Sequence, residues 1–144
     1  MNQAMNDEAK KARIRVVSRL REPDGGVQEI KNARSGLLTR TAAGMVLEYD
    51  DEQDGEKAHI VLTMAPGHAC MQRRGMVSSE LHFRPGEKLA SRYVTIYGDI
   101  PVAVDTQSVE LDVLQNGGEL RLHYDVYMGG ERTSSAHMAI TWRI

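Results

Sequence analysis

The chain of 144 residues holds one cysteine, Cys70. A single cysteine excludes an intramolecular disulfide and leaves no cysteine cluster for zinc. There is no excess of either charge: the formal net charge is −2, too small for a global attraction to nucleic acid or anionic lipid. No apolar run approaches the ~20 residues that a helix needs to span a bilayer. The opening MNQAMNDEAKKAR is polar and charged and has no apolar stretch of the secretory kind. These absences point to a cytoplasmic protein without a membrane partner. Helical patterning is missing too, since no 11-residue window shows convincing apolar spacing at i, i+3, i+4 and i+7. Internal repeats and low-complexity tracts are absent.

What the chain does have is alternation. In residues 119–128, Leu120, Leu122, Tyr124, Val126 and Met128 are separated by Arg121, His123, Asp125 and Tyr127. After Gly129-Gly130 the pattern resumes with Met138, Ile140, Trp142 and Ile144. A period of two means a sheet with one dry face and one wet face. A hydrophobic fraction of 41% and a charged fraction of 26% suit such a sheet and argue against disorder. The length fits one domain with a respectable core. Residues 1–11 read as a flexible tail and 12–144 as a single barrel domain.

Extended segments are expected at 13–20, 27–40, 45–49, 58–65, 69–74, 76–83, 89–97, 102–106 and 108–115, followed by the final two. In Glu22-Pro23-Asp24-Gly25-Gly26, proline presets φ and glycine accepts the positive φ that closes a hairpin. Gly36 inside a long segment suggests a bulge or bend. About ten extended segments with short turns form an antiparallel meander, and closure removes its sticky edges. The predicted fold is therefore all-β, an up-and-down barrel of about eight to ten strands. The interior of such a barrel either packs with side chains or holds one small ligand.

The chain also resembles a known family. The landmarks are Ser35-Gly36, the run from Met45 to Tyr49 leading into acidic residues, and Arg73-Arg74-Gly75. Phe83 with Gly86, the run from Tyr93 to Gly98, and the run from Leu120 to Tyr124 complete the set. In order and spacing they are similar to the YwiB-like bacterial proteins of unknown function, over roughly residues 13–143. The resemblance implies a calycin-like (lipocalin-like) antiparallel β-barrel. It implies no activity, substrate or cofactor.

Chemistry is sparse in the residues themselves. If Ala69 and Met71 point inward, Arg73 follows by alternation. A guanidinium inside a barrel must be paired or reach solvent at the mouth. Arg73 is then either an anchor for an anionic ligand or a structural ion pair, with Glu48 or Glu80 as partner. It points outward if Gly75 marks a bulge. Tyr93, Thr95 and Tyr97 share one strand face, and Tyr49 and Tyr124 can join them as a pocket wall. Val94 and Ile96 compete for the inward side of that strand. The histidines (His59, His68, His82, His123, His137) lack HxH or HExxH spacing, so no metal site is expected. Cys70 reads as an inert packing residue beside a buried methionine. No GxSxG elbow and no phosphate-binding glycine loop is present, and neither a catalytic residue nor a cofactor is assigned.

The expected function is a non-catalytic barrel binding a small, partly apolar or anionic ligand. Its candidate ligand residues are Arg73, Tyr93, Thr95, Tyr97 and Tyr124. The alternative is a protein- or RNA-interaction module on the outer surface. It would use Lys10, Lys11, Arg13, Arg15, Arg19 and Arg21, which otherwise form a solvated face that deters edge pairing. Nucleic acid is the less favoured partner, because interleaved aromatics are missing.

Overall fold

Alternation becomes strand over most of the sequence. The computed structural model describes residues 8–53 and 55–144. It contains ten strands and, among the described residues, no helix. They are β1 (Lys10–Arg21), β2 (Val27–Thr41), β3 (Gly44–Gln53), β4 (Glu56–Ala65) and β5 (His68–Gly75), then β6 (Ser78–Phe83), β7 (Lys88–Thr95), β8 (Gly98–Leu114), β9 (Gly117–Met128) and β10 (Glu131–Arg143). β1 begins two residues inside the expected tail, and residues 1–7 of that tail lie outside the described residues. Each strand pairs antiparallel with the next, and β1 pairs with β10 to close the barrel. This seam runs in unbroken register from Arg13 opposite Arg143 to Arg21 opposite Ser135.

Two segments expected to be separate, 102–106 and 108–115, are one strand. The β8–β9 ladder shifts register between Thr106 and Ser108, so Gln107 is the extra residue of a bulge. Gly36, by contrast, is not a bulge: the β1–β2 ladder passes through it without a shift, and the β2–β3 ladder ends at it. Its role is close approach: a Cβ there would lie 2.1 Å from the Glu48 carbonyl oxygen and 2.7 Å from Ile14 Cδ1. Gly75 ends β5 and resets nothing.

The interior is filled with side chains. Phe83, Leu47, Leu62, Met64, Leu120, Ile140 and Val104 are fully buried. Burial of each large apolar side chain contributes roughly 1.5–3 kcal/mol. Leu120, Leu122, Tyr124, Ile140 and Trp142, the inner face expected of the final hairpin, are all buried.

The two ends of the barrel differ. At the end with the β2–β3, β4–β5 and β8–β9 turns, Leu38, Met45, Met64, Ala69 and Trp142 form an apolar plug. The Trp142 ring occupies the space that a side chain at Gly118 would need, for a Cβ there would lie 2.3 Å from Trp142 Cζ2. At the end with the β1–β2, β3–β4, β5–β6 and β7–β8 hairpins, the inward positions turn polar. Asn32, Arg34, Asp51, Arg73, Ser79 and Tyr93 occupy them. The wall also parts there. Pairing of β2 with β3 stops at Gly36 opposite Tyr49, while β2 continues along β1 and β3 continues along β4.

Candidate functional site at the barrel mouth

The parting between β2 and β3 is bridged by side chains. Arg34 follows Leu38 and Gly36 on the inner face of β2, and Asp51 follows Leu47 and Tyr49 on that of β3. Arg34 Nε donates to Asp51 Oδ1 at 3.0 Å, and its Nη2 lies 2.8 Å from the same oxygen. Nη2 also donates to the Glu52 carbonyl at 3.1 Å, and Nη1 to the Ala33 carbonyl at 3.0 Å. Arg34 thus substitutes for the missing ladder and uses most of its donors doing so. Asp51 is only 8% exposed.

The other Asp51 oxygen, Oδ2, meets Arg73 Nη1 at 3.4 Å. Two guanidinium groups therefore share one carboxylate, which leaves the cluster one positive charge in excess. Among the described residues Arg73 holds this one long contact, with Asp51, far short of its five-donor capacity. It sits in one cross-strand row with Tyr49, Ile60, Ser79 and Tyr93. The Tyr49 phenol is pushed up to about 12, mainly by burial and further by the Asp51 charge, with Arg73 and Arg34 opposing. Near neutrality it is therefore an uncharged hydroxyl. Beside the cluster lies an open cleft of about 750 Å³, bordered by Arg34, Lys57, His59 and Arg74 and by the carboxylates Asp50, Asp51 and Glu52. His59 bridges the outer carboxylates of Asp50 at 2.8 Å and Glu48 at 3.4 Å, which raises its pKa.

Of the residues expected at a site, Arg73 and Tyr93 come together at the mouth. The partner of Arg73 is Asp51, not Glu48 or Glu80. Those two lie on the outer wall, where Glu48 meets His59 and Glu80 accepts a 2.9 Å hydrogen bond from Gln72. Of the face expected for Tyr93, Thr95 and Tyr97, only Tyr93 and Thr95 share one, because β7 stops at Thr95 and Tyr97 lies beyond it. Thr95 Oγ1 accepts from the Tyr97 backbone N–H at 3.1 Å and donates to the Gly98 carbonyl at 3.0 Å. Tyr97 stands at the turn, 93% exposed. Tyr124 is deeper, between Thr106 and Ala136 in the ladders, with its ring 4.8 Å from that of Phe83. Burial pushes its phenol up to about 12.

Sequence reasoning misses Arg34, Asp51, Ser79 and Ser91. Asp51 stands in the polar run Asp50-Asp51-Glu52, which reads as a loop. Carrying the alternation of Met45, Leu47 and Tyr49 one step further would have turned it inward. Ser91 lies on the inner face of β7, two residues from Tyr93, and its buried Oγ has no hydrogen-bond partner among the described residues. The same holds for Thr106 Oγ1. An unmet buried hydroxyl costs about 1–3 kcal/mol.

On the outer wall, Cys70 alternates with Ala69 and Met71 and so faces away from the barrel lumen, yet its side chain is buried at 9% exposure. It lies with Glu80 and His82, a set able to ligate a metal ion. The arginines of β1 also face outward, and Arg19 pairs with Glu29 at 3.3 Å. No helix among the described residues is long and apolar enough to cross a membrane.

Comparison with known proteins agrees with this architecture. A family model described as a domain of unknown function (DUF1934) matches residues 14–140. The uncharacterized β-barrel protein YwiB of Bacillus subtilis (strain 168) is 24% identical over 121 residues, covering 84% of this chain and 85% of that protein. The crystal structure of the ywiB protein from Bacillus subtilis superposes with a TM-score of 0.86 at 21% identity, covering 99% of this chain and 97% of that one.

Proposed function

The chain belongs to the DUF1934 family, and from that premise we propose that it is a non-catalytic, calycin-like binding protein that takes a small anion at the polar mouth of the barrel. The observation that carries this reading is the Arg34–Asp51–Arg73 cluster, with two guanidinium groups on one carboxylate. Arg34 orients Asp51, and Asp51 orients Arg73. The guanidinium of Arg73 then offers its planar fork to a carboxylate or phosphate. Ser79 stands next to it in the same row with Tyr93 beyond, and the Ser91 hydroxyl, unpartnered among the described residues, lies two residues from Tyr93 on the same strand face. The filled interior favours the mouth over the barrel lumen as the binding place. The free thiol of Cys70 fits a cytoplasmic setting.

Thermal unfolding with inorganic phosphate and with succinate tests the proposal. Either anion is expected to raise Tm, by about 2.7 kcal/mol of added stability at a hundredfold excess over Kd. Arg73→Gln is expected to lose that response. Neither anion raising Tm, or an unchanged response in the variant, would sink the idea.

A second reading, a protein- or RNA-binding outer wall, rests on Arg13 standing opposite Arg143 across the seam with Arg15 beside them. Salt-sensitive retention on heparin, lost in Arg13→Gln/Arg15→Gln, is its test.

A further inference from the structure

The β5–β6 hairpin carries a second constellation, on the outer wall and independent of the mouth. The sequence reads His68-Ala69-Cys70 on β5 and Glu80-Leu81-His82 on β6. The two-residue period turns His68 and Cys70 to the same side, and likewise Glu80 and His82. The ladder then sets Cys70 directly opposite His82 and Gln72 opposite Glu80. Cys70 Sγ lies 3.9 Å from His82 Nε2, and that nitrogen lies 3.9 Å from Glu80 Oε1. All three ligand atoms fall within 4.8 Å of one another.

These separations have a chemical meaning. Around tetrahedral zinc, with Zn–S about 2.3 Å and Zn–N about 2.0–2.1 Å, sulfur and nitrogen ligands stand about 3.5 Å apart. The Cys70 and His82 atoms need to close by only a few tenths of an ångström, and the Glu80 carboxylate has little further to travel. Small side-chain rotations supply both movements. The backbone is already fixed by the ladder. Gln72 Nε2 donates to Glu80 Oε1 at 2.9 Å and so holds the carboxylate from outside, as outer-shell partners of metal ligands do. The His68 ring stacks on that of His82 with centroids 6.0 Å apart, placing a second imidazole at the edge of the cluster.

We infer that Cys70, Glu80 and His82 form a binding site for a zinc-type divalent transition-metal ion, with a fourth coordination position open to solvent or to His68. The donor set decides the class. One thiolate, one imidazole and one carboxylate suit zinc or cobalt, and they do not suit magnesium or calcium, which prefer all-oxygen shells. Binding releases the Cys70 thiol proton to solvent, so affinity rises with pH.

Cobalt(II) titrated into the full chain under a non-thiol reductant tests the site. The expected result is a thiolate-to-cobalt charge-transfer band with the intense visible bands of four-coordinate cobalt, both displaced by one equivalent of zinc. Cys70→Ser is expected to abolish the charge-transfer band. His82→Gln and Glu80→Gln keep the thiol, and each is expected to weaken zinc by about 100-fold or more, since outer-shell changes alone cost 10- to 100-fold. If His82→Gln does not fold, Glu80→Gln, at an exposed position, carries the same test. Absence of the cobalt band in the unsubstituted chain overturns the inference. So does unchanged zinc affinity in the Glu80 and His82 variants, which would reduce the site to a lone thiol.

Discussion

Among single residues, Asp51 is the pivot of the mouth. It is buried, accepts from two arginines, and is the described carboxylate in contact with Arg73. Replacing it by asparagine removes the charge that both guanidinium groups face. Asp51→Asn is expected to cost about 1–3 kcal/mol in urea unfolding, the penalty for leaving partly buried donors poorly met. A loss below about 0.5 kcal/mol would place the cluster among ordinary surface ion pairs. The inward turn of Arg73 was legible, because Ala69, Met71 and Arg73 alternate in an unbroken strand. Its partner was not legible. Asp51 lies 22 positions away, and only the parting of β2 from β3 aims it at Arg73.

Among the strands, β2 and the β9–β10 hairpin are most informative. β2 parts from β3 at Gly36 while staying paired with β1, and three strands crowd together there. Gly36→Ala drives a methyl group into the Glu48 carbonyl and the Ile14 side chain. A loss of about 2–3 kcal/mol is expected, measured by denaturant unfolding, and an unchanged midpoint would contradict the close approach. The hairpin stacks His123 and His137 across its outer face with centroids 3.9 Å apart. The pKa of His137 is lowered, first by burial, then by the charges of His123, Arg19 and Arg21. The unfolded chain therefore takes up this proton first. The corresponding stability is full above the ordinary value of 6.5 and declines as pH falls below it. His68 shifts the same way, whereas the hydrogen-bonded His59 shifts up and contributes below 6.5. His137→Gln should consequently lose less Tm than the unsubstituted chain between about pH 7.5 and about pH 5.5. An equal loss would remove the pair from the pH response. Strands and hairpins were legible from alternation and glycine turns. The bulge at Gln107 was not, since one extra residue looks like a break between two strands.

Across the barrel as a whole, closure by β1 and β10 and a packed lumen leave one apolar end and one polar end. Closure was legible from the number of strands and the shortness of their turns. The asymmetry of the ends was not. It depends on which hairpins share an end, and on the inward polar residues of five strands meeting there. Whether the polar end or the lumen takes an anion is decided by titrating the isotope-labelled chain with inorganic phosphate, followed residue by residue by NMR. Binding at the polar end predicts saturable shifts at Arg34, Arg73, Ser79 and Tyr93, with Phe83, Leu120 and Tyr124 unmoved. Shifts centred on Phe83 and Tyr124, or no saturable shift at the mouth, would contradict it.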